Sequence, residues 1–497
     1  MHGKAAWAGR YRPVPGPAIL AQVSDPDLIR GPANGPFDLL VINGTLVSGG
    51  GRRHADLGVR EGRIAAIFEP GAQNVPGASA GGGDAAHATE ILDARGLFVL
   101  PGVIDGHVHF REPGLEHKED WLSGSRAAVH GGVTTVLEMP NTQPPTRSLG
   151  DARAKLALAA SSAHCDFGIF GLLDPPAMAG IAEVATSGQV VGLKAFLGPS
   201  TGDIASPSDD ELLVALGVAR AAGLRTAFHA EDAATLRWSE ADVADRSDAL
   251  AHLDGRPPRA EVAAIERIGG LLSRAGAAGH ILHLSSEEGI DAVRRWRSRG
   301  VDLTCEVTPQ HVLLGVRAYD ELGGQVKCNP PVRGEPHASA LATALADGTI
   351  DCVASDHAPH APAEKSDLDI RRVAAGVAGV ETLLPLMLSA VDAGRLTLER
   401  LVEVSAEAPA RIWGLGPAKG SLEVGADADL VVVELAREGV IRGAELHGRH
   451  PLTPFEGRAT HGAVVATLVR GRVAVRDGRL GGAAGWGRPV TVRGGRS

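Results

Sequence analysis

From residue 97 onward the chain alternates short apolar, β-rich runs with longer helical stretches. That rhythm restricts the fold to helices packed around a parallel sheet. Eight such runs can be read: Phe98–Ile104, Val133–Met139, Asp166–Gly171, Val190–Phe196, Leu224–His229, His280–Leu284, Val301–Val307 and Ile350–Ser355. Helical patterns predicted over Trp121–His130, Asp209–Ala222, Arg259–Ala275 and Glu287–Arg299 separate several of them. Eight β/α units predict a (β/α)8 TIM-like barrel over residues 98–414, with further helices expected at Val380–Ala390 and Leu398–Ile412.

The two ends read differently. Asp38–Ile42, Thr45–Val47, Ile64–Ile67 and Ile91–Val99 precede the barrel with β texture, and Asp429–Val433, Ala463–Val469 and Val473–Val475 follow it. Residues 37–97 and 415–485 are therefore expected to form one small β-sandwich domain built from both termini. Residues 1–36 are rich in Pro and Gly and predict a poorly ordered arm or surface strap. The low-complexity stretch at residues 71–86 predicts a flexible hairpin tip.

The charge balance, 49 − 59 = −10, argues against nucleic acid or an anionic membrane surface as partner. An anionic small molecule would need a local basic group. No run approaches the roughly 20 apolar residues of a membrane span, and the N-terminus shows no basic-then-apolar leader. Four cysteines without a C-x-x-C pair read as reduced thiols in a cytoplasmic protein.

Barrels of this class carry their chemistry at the C-terminal ends of the strands. Six residues of metal-binding type obey that placement: His107 and His109 after the first run, Lys194 in the fourth, His229 ending the fifth, His283 in the sixth and Asp356 just after the eighth. His107 and His109 lie at i, i+2, so in a strand both imidazoles face the same way. One histidine alone reads more readily as a core or surface residue; the shared placement favours metal. Imidazole and carboxylate ligands suit zinc, with manganese and cobalt as alternatives. A protonated Lys194 would repel cations, so it is either a snorkelling or salt-bridged lysine or a neutral or carboxylated ligand.

His107-Val108-His109-Phe110-Arg111-Glu112-Pro113-Gly114, Met139-Pro140-Asn141-Thr142, Lys194-Ala195-Phe196-Leu197-Gly198, His229-Ala230-Glu231, His283-Leu284-Ser285, Asn329-Pro330-Pro331-Val332-Arg333 and Asp356-His357-Ala358-Pro359-His360 stand in this order. This series resembles the amidohydrolase superfamily and, within its lysine-bridged branch, dihydroorotase most. The likeness spans roughly residues 38–480. It implies His107 and His109 on the more buried of two divalent ions, His229 and His283 on the other, a carboxylated Lys194 as bridge, and Asp356 both binding metal and moving the proton. Two ions sharing a water would lower its pKa from about 15.7 toward 7. The reaction implied is reversible closure of N-carbamoyl-L-aspartate to L-dihydroorotate, a step of pyrimidine biosynthesis.

Substrate choice is expected to rest on Arg111, Asn141, Asn329 and His360. Arg111 suits a carboxylate held through two hydrogen bonds; read alone, it is as readily a rim salt bridge to Glu112 or Glu116. The Ala374–Gly379 stretch could offer backbone groups to a ring. His164, His252, His280 and His311 read as structural, and His447, His450 and His461 as surface residues. Asp302 and Glu306 read as solvent or core-edge groups. The alternatives are an allantoinase or hydantoinase and, in another class, a silent scaffold for an aspartate transcarbamoylase. A homo-oligomer is expected.

Overall fold

The computed structural model of this chain describes residues 37–70, 88–200, 202, 204–490 and 492. The arm expected over 1–36 and the hairpin tip expected over 71–86 lie outside the described residues.

Eight parallel strands form the central sheet: β1 Val103–Val108, β2 Val133–Glu138, β3 Asp166–Leu173, β4 Gly192–Phe196, β5 Thr226–His229, β6 Gly279–Ile281, β7 Leu303–Val307 and β8 Cys352–Val353. Neighbours follow chain order. The ring closes where Val108 bridges His357 in parallel and the His109 N–H donates to the His357 carbonyl at 2.7 Å. Every residue of β1 through β6 is buried, as expected for parallel strands covered on both faces.

The helices follow their local signals. Trp121–His130 starts where the Asp120 carboxylate accepts the Ser123 N–H, and Pro258–Ala275 ends at Gly276 in the left-handed region, a cap glycine tolerates at no steric cost. The expected continuous helix Leu398–Ile412 is interrupted: Leu398–Val402 and Ala408–Ile412 flank a π turn at Glu403–Glu407. Pro409 has no N–H for the Ser405 carbonyl, so an undisturbed α-ladder could not run through it.

The run expected to be the first barrel strand divides in two. Phe98–Pro101 pairs antiparallel with Leu430–Val433 in the terminal domain, and the barrel strand begins at Val103. Pro101 offers no N–H to extend the ladder, and the Gly102 N–H goes to the Asp429 carbonyl. The terminal domain holds two sheets. One combines 37–42, 56–60, 63–68 and 88–93; the other combines strands near 45–54 and 98–101 with four from 430–480. Leu39, Val41, Leu57, Val99, Leu430, Val432 and Leu468 share a core between them. Beneath the barrel, Lys419 is buried among Asp166, Asp427 and Asp429 at 2.5, 3.0 and 2.6 Å. Its ammonium ties β3 to the terminal domain. No described helix is long and apolar enough to cross a membrane.

Candidate metal centre

The six sequence-predicted residues converge. His107, His109, Lys194, His229, His283 and Asp356 line one pocket with Arg111, Asn141, Phe196, Ser200, Asn329, Ala358, Ala375 and Gly376. The strand ends explain the convergence: His107 lies in β1, Lys194 in β4, and His229 closes β5. His109, His283 and Asp356 follow β1, β6 and β8. His283 and Asp356, with Arg111 beside them, have positive φ values of 36°, 47° and 68°. Left-handed backbone at a non-glycine residue costs of order 1–3 kcal/mol, and the surrounding barrel holds it.

Hydrogen bonds fix how each ring faces. The His109 Nδ1–H donates to Asn141 Oδ1 at 2.7 Å, which leaves Nε2 with a bare lone pair. His107 Nδ1 lies 2.7 Å from Glu306 Oε1, so a neutral His107 donating there also has a bare Nε2. Both Nε2 atoms lie 3.3 Å from Asp356 Oδ1. Three acceptors then face one point with no proton between them. Burial pushes His109 down to about 3, so protonating that ring does not relieve the repulsion. Burial alone would raise Asp356, but His107, His109 and Lys194 outweigh it and hold the carboxylate well below its ordinary range. A cation at that point satisfies all three groups.

The second pair is built alike. The His229 Nε2–H donates to Glu231 at 2.9 Å, and its Nδ1 lies 3.0 Å from His283 Nε2. Burial lowers both rings, His283 well below the ordinary range. Lys194 is buried, and its burial pushes the amine down to about 7. Among the described residues no carboxylate lies within 4.0 Å of its Nζ. A neutral amine is the form that can add carbon dioxide. The donor set therefore fits two divalent ions.

Sequence reasoning missed the groups behind the ligands. Glu306, read as a solvent or core-edge residue, is fully buried; it accepts from His107 and from His280 Nε2 at 3.1 Å. It orients the ring of a candidate ligand. Arg256 clamps Glu231 at 2.6 Å, and Glu231 in turn fixes His229. Asp105 accepts from the His107 and Ser355 N–H groups at 3.2 and 3.0 Å, which ties β1 to the segment after β8. Alternating apolar and polar residues could not reveal Glu306 and Arg256, which reach His107 and Glu231 from segments remote in sequence, whereas Asp105 and Glu231 stand only two residues from the histidines they serve. Asp302 is exposed, as expected, and pairs with Arg225 at 2.8 Å. His447 is more than a surface residue: it stacks on His130 at 3.4 Å and bonds Glu381 at 2.7 Å.

The expected substrate contacts separate into two groups. Arg111 and Asn329 line the pocket itself, and Asn329 Oδ1 is buried with no hydrogen-bond partner among the described residues. Arg111 is buried, its Nε donates to the Pro359 carbonyl at 3.3 Å, and no carboxylate of the described residues lies within 4.0 Å of the guanidinium. Asn141 lines the pocket but uses Oδ1 on His109. His360 stands one layer back. Its Nε2–H donates to the Ala375 carbonyl at 3.0 Å, its Nδ1 accepts from Lys118 at 3.2 Å, and it lines an adjoining cavity of about 610 Å³.

The chain matches the amidohydrolase family over residues 98–474, and it belongs to that family. It is 40% identical over 471 residues to an allantoinase of Rubrobacter xylanophilus, covering 93% of this chain and 99% of that one. It is 45% identical over 386 residues to a dihydroorotase of Halobacterium salinarum, covering 76% of this chain and 86% of that one. Among solved structures, L-hydantoinase (dihydropyrimidinase) from Arthrobacter aurescens superposes with a TM-score of 0.86 at 34% identity, over 92% of this chain and all of that chain.

Proposed function

We propose that this amidohydrolase is a dihydroorotase, interconverting N-carbamoyl-L-aspartate and L-dihydroorotate. The observation that carries this reading is Arg111: a buried guanidinium at the metal pocket with no carboxylate partner among the described residues. Glu138, Asp356, Glu364 and Glu119 act on Arg111 only from beyond direct ion-pair distance, so its N–H donors toward the pocket are left for a substrate carboxylate to engage through charge-assisted hydrogen bonds. Allantoin, hydantoin and dihydrouracil bring no carboxylate.

Two divalent ions bound by His107, His109, His229, His283, Asp356 and a carboxylated Lys194, zinc being the best match to these ligands, would polarise the amide carbonyl and acidify a water. The chain's own residues supply the rest. Arg111 orients the substrate through its carboxylate. Asn329 Oδ1 is an acceptor suited to a ring N–H. Asp356 is placed to take the proton of the attacking water and return it to the leaving nitrogen. Ring closure removes one carboxylate and consumes one proton, so acid favours the ring.

The second reading, an allantoinase or hydantoinase, draws on the allantoinase relative, which this chain matches over almost that protein's whole length. Purified protein given L-dihydroorotate, allantoin, hydantoin and dihydrouracil side by side decides between them. The expected result is dihydroorotate preferred by about 100-fold or more in kcat/KM. Turnover of allantoin or hydantoin without dihydroorotate would overturn the proposal.

A further inference from the structure

Lys365 ends the short helix Pro362–Lys365, five residues after His360. Its side chain is buried, yet among the described residues no carboxylate lies within 4.0 Å of its Nζ. Instead the ammonium donates to three carbonyls: Lys327 at 3.0 Å, Ala374 at 2.8 Å and Gly376 at 3.0 Å. Three N–H donors on one tetrahedral nitrogen match three converging oxygens; the planar fork of arginine does not.

Those carbonyls belong to two separate walls of the pocket. One wall is 327–329, which presents Asn329. The other is 374–377, which presents Ala375 and Gly376. The walls meet once more where the Gly376 N–H donates to the Lys327 carbonyl at 2.9 Å. The two remaining carbonyls of the second wall are also engaged: Ala375 accepts from His360 and Val377 from the Ala358 N–H. The fit is close: Gly376 has φ 143°, and a Cβ there would lie 2.4 Å from the Ala358 carbonyl. A shift of this strip would therefore move the pocket lining directly.

We infer that Lys365 is a positioning residue that sets the shape of the ring-binding end of the pocket by tying its two backbone walls together. This rests on the pocket being the catalytic site, and not on which cyclic amide it takes. Lys365 has no hydrogen bond to any of the six candidate metal ligands, so its loss should weaken substrate binding while the metal centre stays intact.

The test compares full-length wild type with Lys365→Met, which keeps length and removes the donors. With whichever cyclic amide the wild type hydrolyses best, KM is expected to rise about tenfold or more while kcat stays within about threefold and metal content is unchanged. Hydrogen exchange at the Ala374 and Gly376 amides, which donate to the Glu364 and Lys327 carbonyls, is expected to quicken at least about tenfold, with the His107 and His109 segment unaffected. Unchanged KM, unchanged exchange, or a loss of bound metal would each overturn the inference. Exchange needs no turnover, so a wrong substrate assignment leaves that readout intact. Should Lys365→Met fail to fold, Lys365→Gln, which retains two N–H donors, carries the test: a smaller KM rise with faster exchange at Gly376 supports it, and wild-type values of either overturn it.

Discussion

Glu306 stands between His107 and His280, its two oxygens 2.7 Å from His107 Nδ1 and 3.1 Å from His280 Nε2. As an acceptor on both sides it holds His107 with Nε2 toward Asp356. Glu306→Gln replaces one acceptor by a donor, so one ring must turn over or lose its bond. Metal affinity should fall about 10–100-fold. A chelator titration with metal analysis measures this; wild-type affinity would remove Glu306 from the centre.

Arg111 offers the pocket a guanidinium that no described carboxylate contacts within 4.0 Å. Arg111→Met should raise KM for dihydroorotate about 100-fold, the size expected when a bidentate charge-assisted contact of roughly 3 kcal/mol is lost. Activity on hydantoin, if the wild type has any, should change far less. Steady-state kinetics on both compounds gives the answer. An equal loss on both would mean Arg111 supports the fold of the pocket and not the carboxylate.

Lys194, with its amine pushed down to about 7 by burial, is poised to react with carbon dioxide. Metal-stripped protein in carbon dioxide-free buffer should regain activity with divalent ion far faster once bicarbonate is added. Lys194→Ala should hold fewer than the roughly two ions per chain expected of the wild type. Reactivation at the same rate with and without bicarbonate would count against a carbamate.

Lys419 lies buried among three carboxylates at the junction of the barrel and the terminal domain. Lys419→Met leaves those carboxylates facing one another without their central cation. The expected loss is about 3–5 kcal/mol of stability, read from urea unfolding. A loss below about 1 kcal/mol would show that Arg470, which also bonds Asp166, suffices.

Much of the site was legible because a barrel converts strand ends into one rim. His107 and His109, two residues apart in a strand, had to share a face, and the eight apolar runs located each remaining ligand near a strand terminus. The bounds were less legible. Phe98–Pro101 carries the same apolar texture as the barrel strand that follows, and only its pairing with Leu430–Val433 assigns it to the terminal domain. His360 sits close to Asp356 in sequence, yet the structure engages both of its nitrogens with Ala375 and Lys118.

By itself the sequence determined the barrel, the domain made of both chain ends and the six candidate ligands, since periodicity and strand position depend on local order along the chain. The tertiary structure alone decided which nitrogen each histidine presents, that Glu306, Glu231 and Asp105 stand behind the ligands, and that Lys365 joins two walls. Glu231 and Asp105 lie two residues from the histidines they serve, but Arg256 and Ser355, which fix them, and the partners of Glu306 and Lys365 come from strands and loops remote in sequence, where a carboxylate or an ammonium acquires its role from the groups that fold against it.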